Sequence, residues 1–355
     1  MSVSFRSVTK RYGETIALDA LDLSVEPQSF TVLCGPPKCG KSVLFRLLVG
    51  LEAPDAGVIE LAGRVVTHET PGRRKVGYVP QSFALYPHLT VADNIGYPLS
   101  LARAPRTDIA RRVDHAAGIL SITHLLAKTP DQLSGGEKQR VAIARGLLKE
   151  ASVFVFDDPL VGLDYKLREQ LMDDLKSVRA ELKATFLYAT SDSLEALTMA
   201  QRLVVMDRGR VLQHGLVEEI YDEPDHVRAI ELVGFPRANL IDGSLSAGLV
   251  EAGPFRFRLF TNTASSRVVA GLRPESMRIG GNSGLAGSGR IRLVEDLGGE
   301  YVVYLDADGL PLTASFPVRD DLDLSHGKEL GFAVDPRDIV VFDAETGQRL
   351  GRGAL

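Results

Sequence analysis

The sequence is poor in cysteine and has no long apolar run. Cys34 and Cys39 are its only cysteines, and no cluster of histidine or cysteine accompanies them, which excludes a disulfide framework and a zinc site. We expect both thiols to be reduced. No stretch of about 18 apolar residues occurs, and the opening MSVSFR lacks the apolar core of a secretion signal. The chain is therefore expected to stay in the cytoplasm and to reach a membrane only through a partner.

An excess of positive charge is also absent. The net charge is -5, and 25% of the residues are charged while 45% are apolar, which is the balance of an ordinary globular protein. We predict no nucleic acid partner, because proteins that bind nucleic acid usually present a basic face. At 355 residues the chain is long enough for two domains, each with its own core.

The first two thirds of the chain alternate strand and helix patterns. Buried strands are predicted at residues 30–33, 153–156, 185–189 and 203–207, and helices follow residue 42, fill most of 90–150 and cover 165–182. This order is typical of an α/β domain with a parallel sheet. A hairpin turn is predicted at Arg208-Gly209.

After about residue 234 the pattern changes to short alternating runs, such as those at 290–294 and 301–305. We therefore predict an α/β domain over residues 1–234 and an all-β domain over residues 235–355. A segment rich in glycine and serine, residues 280–289, is predicted to be a mobile loop in the second domain.

One glycine-rich segment points to phosphate binding. Residues 35–42 read GPPKCGKS, which fits G-x-x-x-x-G-K-S between a predicted strand and a predicted helix. Backbone N–H groups would hold phosphate oxygens, Lys41 would reach the outer phosphates and the Ser42 hydroxyl would bind Mg²⁺. The alternative, an incidental glycine-rich turn, is disfavoured by this context. Pro37 offers no N–H and Lys38 carries a Cβ, so nucleotide is expected to bind less tightly or in an altered pose.

A second segment indicates which family of phosphate-binding proteins the chain resembles. Residues 133–140 read LSGGEKQR, and with Gln81 in VPQS and with Leu163-Asp164 they resemble the signature, Q-loop and D-loop of ABC transporter ATPases. The resemblance implies an α/β ABC ATPase domain with a phosphate loop, a parallel sheet and a helical subdomain. In this family two subunits enclose two nucleotides head to tail, so the signature of one chain serves the ATP of its partner. A hydroxyl and glycine N–H groups at a helix start suit such an anion site.

The resemblance implies ATP and Mg²⁺ as cofactors and assigns their residues. Ser42, Gln81 and Asp157 would hold the metal. Tyr12 would stack on adenine, the alternative being a half-exposed strand tyrosine. The implied nucleotide-binding residues are Tyr12, Gly35, Pro36, Pro37, Lys38, Cys39, Gly40, Lys41, Ser42, Val43 and Asp157. Those implied for the partner's ATP are Ser134, Gly135, Gly136 and Glu137.

The resemblance also covers the remaining segments and the partners. Residues 83–91, FALYPHLTV, are similar to the segment that receives a cytoplasmic helix of the membrane subunit, the alternative being ordinary core. GLRPE at 271–275 and VEDLG at 294–298 resemble the OB-like β-barrel (TOBE) domain of importer ATPases for sugars, polyols and glycerol phosphates. The implied partners are a second ABC ATPase subunit, two membrane-spanning permease subunits and an extracytoplasmic substrate-binding protein. The implied location is the cytoplasmic face of the inner membrane.

Two positions depart from the family at the hydrolytic step. Asp158 stands where the family has its catalytic glutamate, and Ser191 stands where it has histidine. A displacement of about 1 Å can cost on the order of a hundredfold in rate, and a serine hydroxyl is short and uncharged. Ser191 has a structural alternative as part of a helix cap, because Asp192 and Glu195 have capping-box spacing. The resemblance implies Asp158, Ser191 and Gln81 as the catalytic set, and we expect Asp158 and Ser191 to be degenerate.

The departures favour a division of labour between two subunits. We expect this chain to bind ATP at a degenerate site and to complete a different subunit's competent site with its intact signature. One alternative is a fully catalytic, homodimeric sugar-importer ATPase. Another is a soluble ABC protein of translation or DNA repair, which usually has two cassettes or long coiled-coil insertions. Glycerol or another polyol is preferred as substrate, because the arrangement resembles glycerol importers with two different ATPases.

Overall fold

The computed structural model describes residues 2–163, 165–261, 266–280, 284–319 and 321–354. The chain divides into two compact units, Met1–Val217 and Glu218–Leu355. Among the described residues, every helix is too short or too polar to span a membrane.

The first unit is an α/β unit with two sheets. Its strands are β1 (Val3–Tyr12), β2 (Thr15–Val25), β3 (Phe30–Cys34), β4 (Ala56–Leu61), β5 (Arg64–Val65), β6 (Val76–Val79), β7 (Val153–Asp157), β8 (Thr185–Thr190), β9 (Arg202–Asp207) and β10 (Arg210–Leu216). Its helices are α1 (Lys41–Val49), α2 (Pro71–Arg74), α3 (Val91–Leu101), α4 (Arg106–Ile119), α5 (Gly135–Leu147), α6 (Tyr165–Glu181) and α7 (Ser193–Met199). One sheet is antiparallel, in the order β2-β1-β4-β5.

The larger sheet carries the predicted parallel core. Its order is β10-β9-β3-β8-β7-β6, parallel from β9 to β6, with β10 added as an antiparallel edge. Strands β3, β7 and β8 are buried along their whole length, which is typical of strands covered on both faces. The β9–β10 hairpin turns at Arg208-Gly209, as predicted, and both residues have positive φ.

Helix α1 begins at Lys41, next to the start predicted after residue 42, and ends at Val49. Leu44, Leu47 and Leu48 are fully buried beneath it, because helical spacing brings these positions onto one face. Gly50 follows the helix in the left-handed conformation at φ 86°, which a residue without a Cβ adopts readily. The helical region predicted over 90–150 contains α3, α4 and α5, and Thr90 caps α3 by accepting the Asp93 N–H at 3.1 Å.

In its described part the second unit consists mainly of β-strands, with two short α-helices, α8 (Val217–Asp222) and α9 (Val227–Leu232), and α8 begins one residue before the unit. A closed barrel has the strand order β11-β12-β13-β21-β20-β14, and a second sheet has the order β15-β19-β16-β17-β18. The strands are β11 (Asn239–Ser246), β12 (Leu249–Ala252), β13 (Phe255–Leu259), β14 (Arg267–Leu272), β15 (Arg278–Ile279), β16 (Leu285–Asp296), β17 (Glu300–Ala307), β18 (Leu310–Pro317), β19 (Glu329–Val334), β20 (Val340–Asp343) and β21 (Arg349–Ala354). This confirms the predicted fold class.

The division of the chain lies earlier than the boundary predicted at residue 234. Helix α9 belongs to the second unit, because Ile230 packs with Val340 and Phe342. Arg273 adds polar contacts within this unit, donating to the carbonyls of Val233 and Tyr221. The change from helical to alternating sequence patterns at residue 234 therefore marks the end of α9. The second unit itself begins earlier and includes this helix.

The loop predicted over residues 280–289 is only partly a loop. Residues 281–283 lie outside the described part of the chain, whereas strand β16 starts at Leu285 and pairs with β19. A Cβ added at Gly287 would lie 2.6 Å from the Phe332 ring, so this glycine makes room for an aromatic side chain. Gly287 is therefore explained by close packing, whereas the sequence analysis assigned it to a mobile loop.

Candidate functional site

Four predicted functional segments meet at one edge of the parallel sheet. β3, β6, β7 and β8 run in the same direction, so the residues that follow their carboxyl ends share an edge. The register places Cys34 beside Thr190 and Asp157 beside Ala189. The glycine-rich loop, Gln81, Asp158 and Ser191 therefore follow neighbouring strands.

The glycine-rich loop contains a tight turn. The Cys39 N–H donates to the Pro36 carbonyl at 3.2 Å, with Pro37 and Lys38 at the centre of the turn. Lys38 has a φ of 67°, so its backbone adopts a conformation that glycine would favour. Pro37 at the preceding position suits this turn type, because its ring fixes a negative φ. One backbone geometry thus accommodates both Pro37 and Lys38.

The Lys41 ammonium lies inside this loop. Lys41 is 5% exposed, and its Nζ donates to the Gly35 carbonyl at 2.7 Å and to the Pro36 carbonyl at 3.3 Å. The loop leads into the amino terminus of α1, where Gly40 occupies the cap position with a φ of 113°. A buried cation beside the first N–H groups of a helix is suited to bind an anion such as phosphate.

The two cysteines are buried and form no disulfide within the described part of the chain, in agreement with the prediction of reduced thiols. Burial raises the pKa of Cys34 to about 12, despite the nearby Lys41 ammonium. Burial also raises the pKa of Cys39. A thiol with a raised pKa is a poor nucleophile, so we assign Cys39 a packing role beneath the loop. Val43, the last residue assigned from the loop, is half-buried and packs against the core.

Ser42 and Asp157 form the centre of the predicted metal site. The Ser42 hydroxyl donates to Asp157 Oδ1 at 2.8 Å, and the Tyr78 hydroxyl donates to Oδ2 at 3.2 Å. Burial raises the pKa of Asp157, although both hydrogen bonds act in the opposite direction. A hydroxyl and a carboxylate are the hard oxygen donors that Mg²⁺ prefers, so the residues fit this ion.

Tyr78 was missed by the sequence interpretation. It lies on β6, where its register partner on β7 is Val155, two residues before Asp157. The parallel pairing of β6 with β7 is the signal that would have identified it, and the sequence does not reveal that pairing.

Gln81 is not hydrogen-bonded to Ser42 or Asp157 in the described part of the chain. It follows β6 and Pro80, and its side chain is exposed. Its assignments as a metal ligand and catalytic residue therefore remain predictions.

Asp158 is held in an uncommon backbone conformation. Its φ is 45°, and its N–H donates to the Ala189 carbonyl at 3.0 Å. Burial raises the pKa of the carboxyl, and the backbone N–H of Ser191 acts in the opposite direction. Oδ1 is buried and has no hydrogen-bond partner among the described residues. An acceptor left in this way is available to a ligand or a water molecule.

Ser191 is exposed and is not the cap of the next helix. Asp192 caps α7 instead, accepting the N–H groups of Leu194 at 2.9 Å and Glu195 at 3.1 Å. The capping-box interpretation is wrong in its second half. Glu195 is buried and accepts from the hydroxyls of Tyr188 at 2.9 Å and Thr190 at 2.8 Å, so its carboxylate does not reach back to the Asp192 N–H.

The predicted signature forms the start of α5. The Ser134 hydroxyl accepts the Glu137 N–H at 3.3 Å, and Glu137 Oε2 accepts the Ser134 N–H at 2.7 Å. This capping box fixes the helix start, and its hydrogen bond from Ser134 is the first cause that lowers the pKa of Glu137. Ser134 and Gly135 are exposed, whereas Gly136 is buried. Of the Leu163-Asp164 pair, Asp164 lies outside the described residues.

Tyr12 ends β1 and is 44% exposed. Its hydroxyl donates to Glu52, which also accepts Arg46 Nε at 2.6 Å, and the Lys10 ammonium lies 5.5 Å from the ring centre. This geometry fits a half-exposed strand tyrosine. Its stacking on adenine remains a prediction.

The segment 83–91 is ordered by two side chains from helices. Asn94 is fully buried; its Nδ2 donates to the carbonyls of Tyr86, Leu89 and Thr90, and its Oδ1 accepts the Tyr86 N–H. Arg145 donates to the Phe83 and Ala84 carbonyls at 3.0 and 2.7 Å. These hydrogen bonds fix the backbone of the segment.

A cavity of about 490 Å³ opens beside this segment. Its lining includes Ala84, Tyr86, Tyr97, Leu101 and Arg145, and the rings of Tyr86 and Tyr97 are 4.5 Å apart. Leu101 is 68% exposed. The surface thus offers a concave aromatic site, of the kind that receives an apolar side chain from another protein.

Comparison with known proteins gives a consistent picture across the chain. Residues 18–161 match the family described as ABC transporter, and residues 270–342 match the TOBE domain. An sn-glycerol-3-phosphate import ATP-binding protein of Rhizobium johnstonii is 36% identical over 98% of this chain and 95% of its own length. A trehalose/maltose import ATP-binding protein of Thermococcus litoralis is 35% identical over 97% of this chain and 98% of its own length.

Solved structures agree for the first unit. A dimeric ATP-binding cassette in a post-hydrolysis state, bound to ADP and phosphate, is 28% identical and superimposes with a TM-score of 0.56. The match covers 60% of this chain and 98% of that one.

Proposed function

The chain belongs to the ABC transporter family, and on this premise we propose that it is an importer subunit that binds ATP at a hydrolytically impaired site. Members of the family bind ATP with Mg²⁺ and couple its hydrolysis to transport. The observation that carries the proposal is a contrast within one site. The binding pair is intact, since the Ser42 hydroxyl donates to Asp157 at 2.8 Å. The neighbouring Asp158 has a shorter side chain than the glutamate of the family, and Ser191 lacks the ionisable group of histidine.

The impairment follows from what hydrolysis requires. A water molecule must be held in line with the terminal phosphate by a carboxylate at the correct distance. Ser42 and Asp157 would hold Mg²⁺, which neutralises charge on the phosphate oxygens when bound. The Asp158 carboxylate is one methylene shorter than glutamate, and Ser191 offers no charge toward the phosphate. These side chains support binding more than turnover.

The signature supports a role in a partner's site. Ser134 and Gly135 are exposed at the start of α5, and the helix start is fixed by its capping box. A helix start with exposed N–H groups favours a bound phosphate. The chain would thus complete a competent site on a second, different ATPase subunit.

The other partners follow from the same role. The cavity beside segment 83–91 would receive a cytoplasmic helix of a permease subunit, because its aromatic lining suits an apolar anchor. Two such permeases and an extracytoplasmic binding protein would complete the importer. The chain would then lie peripherally on the cytoplasmic face of the membrane.

The proposed substrate is a small carbohydrate or polyol. The names of the relatives refer to sn-glycerol 3-phosphate and to trehalose and maltose. We prefer glycerol, because a site that is degenerate in one of two subunits resembles the arrangement of glycerol importers with two different ATPases. Uptake of labelled glycerol, glycerol 3-phosphate and maltose by cells that carry the full transporter would distinguish these substrates. Uptake of maltose alone would reject the preference.

The decisive experiment uses the assembled transporter with its second ATPase. Replacing the partner's catalytic glutamate by glutamine should lower ATP turnover by about a hundredfold, because this chain would not compensate. Adding Asp158→Glu and Ser191→His to this chain should then raise the residual turnover, whereas the matched pair Asp158→Asn and Ser191→Ala should not. Substantial turnover with the partner disabled would support a catalytic homodimer-type subunit instead.

A further inference from the structure

The first turn of α6 contacts two functional segments through consecutive residues. Leu167 packs on the signature, since a Cβ added at Gly136 would lie 1.9 Å from Leu167 Cδ2. Arg168 faces the segment after Ser191, with Nη1 2.8 Å from Asp192 Oδ2 and Nε 3.6 Å from Glu195 Oε1. One helical turn therefore lies between the signature and the segment that follows β8.

Helix α6 is joined to α5 a second time, farther along. Arg140 Nη1 lies 2.6 Å from Asp174 Oδ2, and the same guanidinium donates to the Leu120 carbonyl. Both side chains are largely buried, at 10% and 20% exposure. A buried ion pair with a further hydrogen bond holds its geometry firmly, so α5 and α6 should move as one body.

The other end of the connection reaches this chain's own nucleotide site. Asp192 caps α7 and directly follows Ser191, whose backbone N–H donates to the Asp158 carboxylate. Glu195 is buried and bonded to Tyr188 and Thr190, and Arg168 lies within ion-pair distance of both Asp192 and Glu195. A displacement of the segment 191–195 would therefore be transmitted to Arg168.

We propose that the first turn of α6 couples this chain's own nucleotide site to its signature, with Arg168 as the positioning residue. This inference rests on the proposed function, in which the own site binds ATP and the signature serves the partner. Occupancy of a site that turns over little would then still change the geometry of the site that does hydrolyse. The coupling passes through packed side chains, because Leu167 and Arg168 are adjacent on one helical turn and a shift of one residue moves the other.

Hydrogen exchange of the full chain, with and without Mg²⁺ and ATP, tests this coupling. Nucleotide should slow exchange in the phosphate loop, residues 35–42, and should also change it in the signature, residues 134–140. Arg168→Met should reduce the response of the signature at least fivefold while leaving that of the phosphate loop intact. Lys176→Met is the matched control, because the ion pair that Lys176 forms among the described residues is exposed and joins it to Asp173 on the same helix.

The outcomes separate the two proposals. No response in the phosphate loop would contradict ATP binding itself. A phosphate-loop response without a signature response, or a signature response that Arg168→Met leaves unchanged, would overturn the coupling alone. Arg168→Lys guards against a folding defect, since it keeps a cation but cannot bridge two carboxylates as a guanidinium does. It should unfold at the wild-type temperature and still lose most of the signature response; a full response would contradict the role of Arg168.

Discussion

At the scale of single residues, the phosphate loop combines an ordinary binding pair with an unusual turn. Lys38 lies at a φ of 67°, where a side chain with a Cβ costs about 1 to 2 kcal/mol relative to the right-handed region. The loop keeps this conformation although the residue is not glycine. A lysine at position 38 therefore strains the backbone locally but does not change the shape of the loop.

We expect Lys38→Gly to stabilise the first unit by about 0.5 to 1 kcal/mol, because relief of strain exceeds the extra freedom of glycine in the unfolded chain. Urea unfolding of the full chain measures the change. Lys38→Ala keeps the Cβ and removes the ammonium, so it should remain within about 0.5 kcal/mol of the wild type. A less stable glycine variant would contradict the strain.

The buried carboxyl of Asp158 predicts a pH dependence. Burial raises its pKa above the unfolded value, so the folded state binds the proton more tightly. The stability that this group contributes is present in acid and is lost as pH rises through the folded pKa.

We therefore expect Asp158→Asn to be more stable than the wild type at pH 7, with the difference shrinking toward pH 4. Thermal unfolding at a series of pH values tests this, and Asp173→Asn, an exposed change on α6, is the control. An advantage for Asp158→Asn that grew in acid would contradict the sign.

At the scale of elements, α6 packs closely against α5 at one glycine, because Leu167 occupies the space beside Gly136. We expect Gly136→Ala to cost about 1 to 2 kcal/mol, because the new methyl group overlaps Leu167 and the turn must shift. Gly135→Ala meets open space and should cost nothing. Urea unfolding measures both, and adding Leu167→Ala should recover part of the loss. Equal stability of the two alanine variants would show that Leu167 simply rotates away.

The sequence predicted most elements of the first unit, because continuous buried runs such as β3 and β7 and the pattern of α1 are local signals. It missed what depends on pairing between elements. Tyr78 reaches Asp157 only through the neighbouring position of β6 and β7, and Arg168 reaches Asp192 only because α6 packs beside α7. The capping box at Asp192 was wrong because a buried hydroxyl pair attracts Glu195 away from the helix start.

At the scale of the whole molecule, the chain consists of two units with separate cores. Every residue assigned to the nucleotide lies in the first. We expect saturating Mg²⁺ and ATP, at about a hundredfold above the dissociation constant, to raise the unfolding temperature of that unit by about 5 to 10 °C. The second unit should be unaffected.

Scanning calorimetry measures this shift, and hydrogen exchange assigns each transition to its unit. Lys41→Ala removes the buried ammonium of the loop and should abolish most of the shift. Equal shifts in both transitions would mean that the two units unfold together.

The bonds that Asn94 makes to segment 83–91 have a consequence for assembly. A disordered docking loop must lose its conformational freedom when a partner arrives, and this entropy weakens the complex. Here one buried amide already bonds four backbone groups of the loop. The freedom is surrendered when the chain folds, so a permease would meet a surface of fixed shape. Loosening it by Asn94→Ala should slow complex formation even where every side chain in the contact is kept.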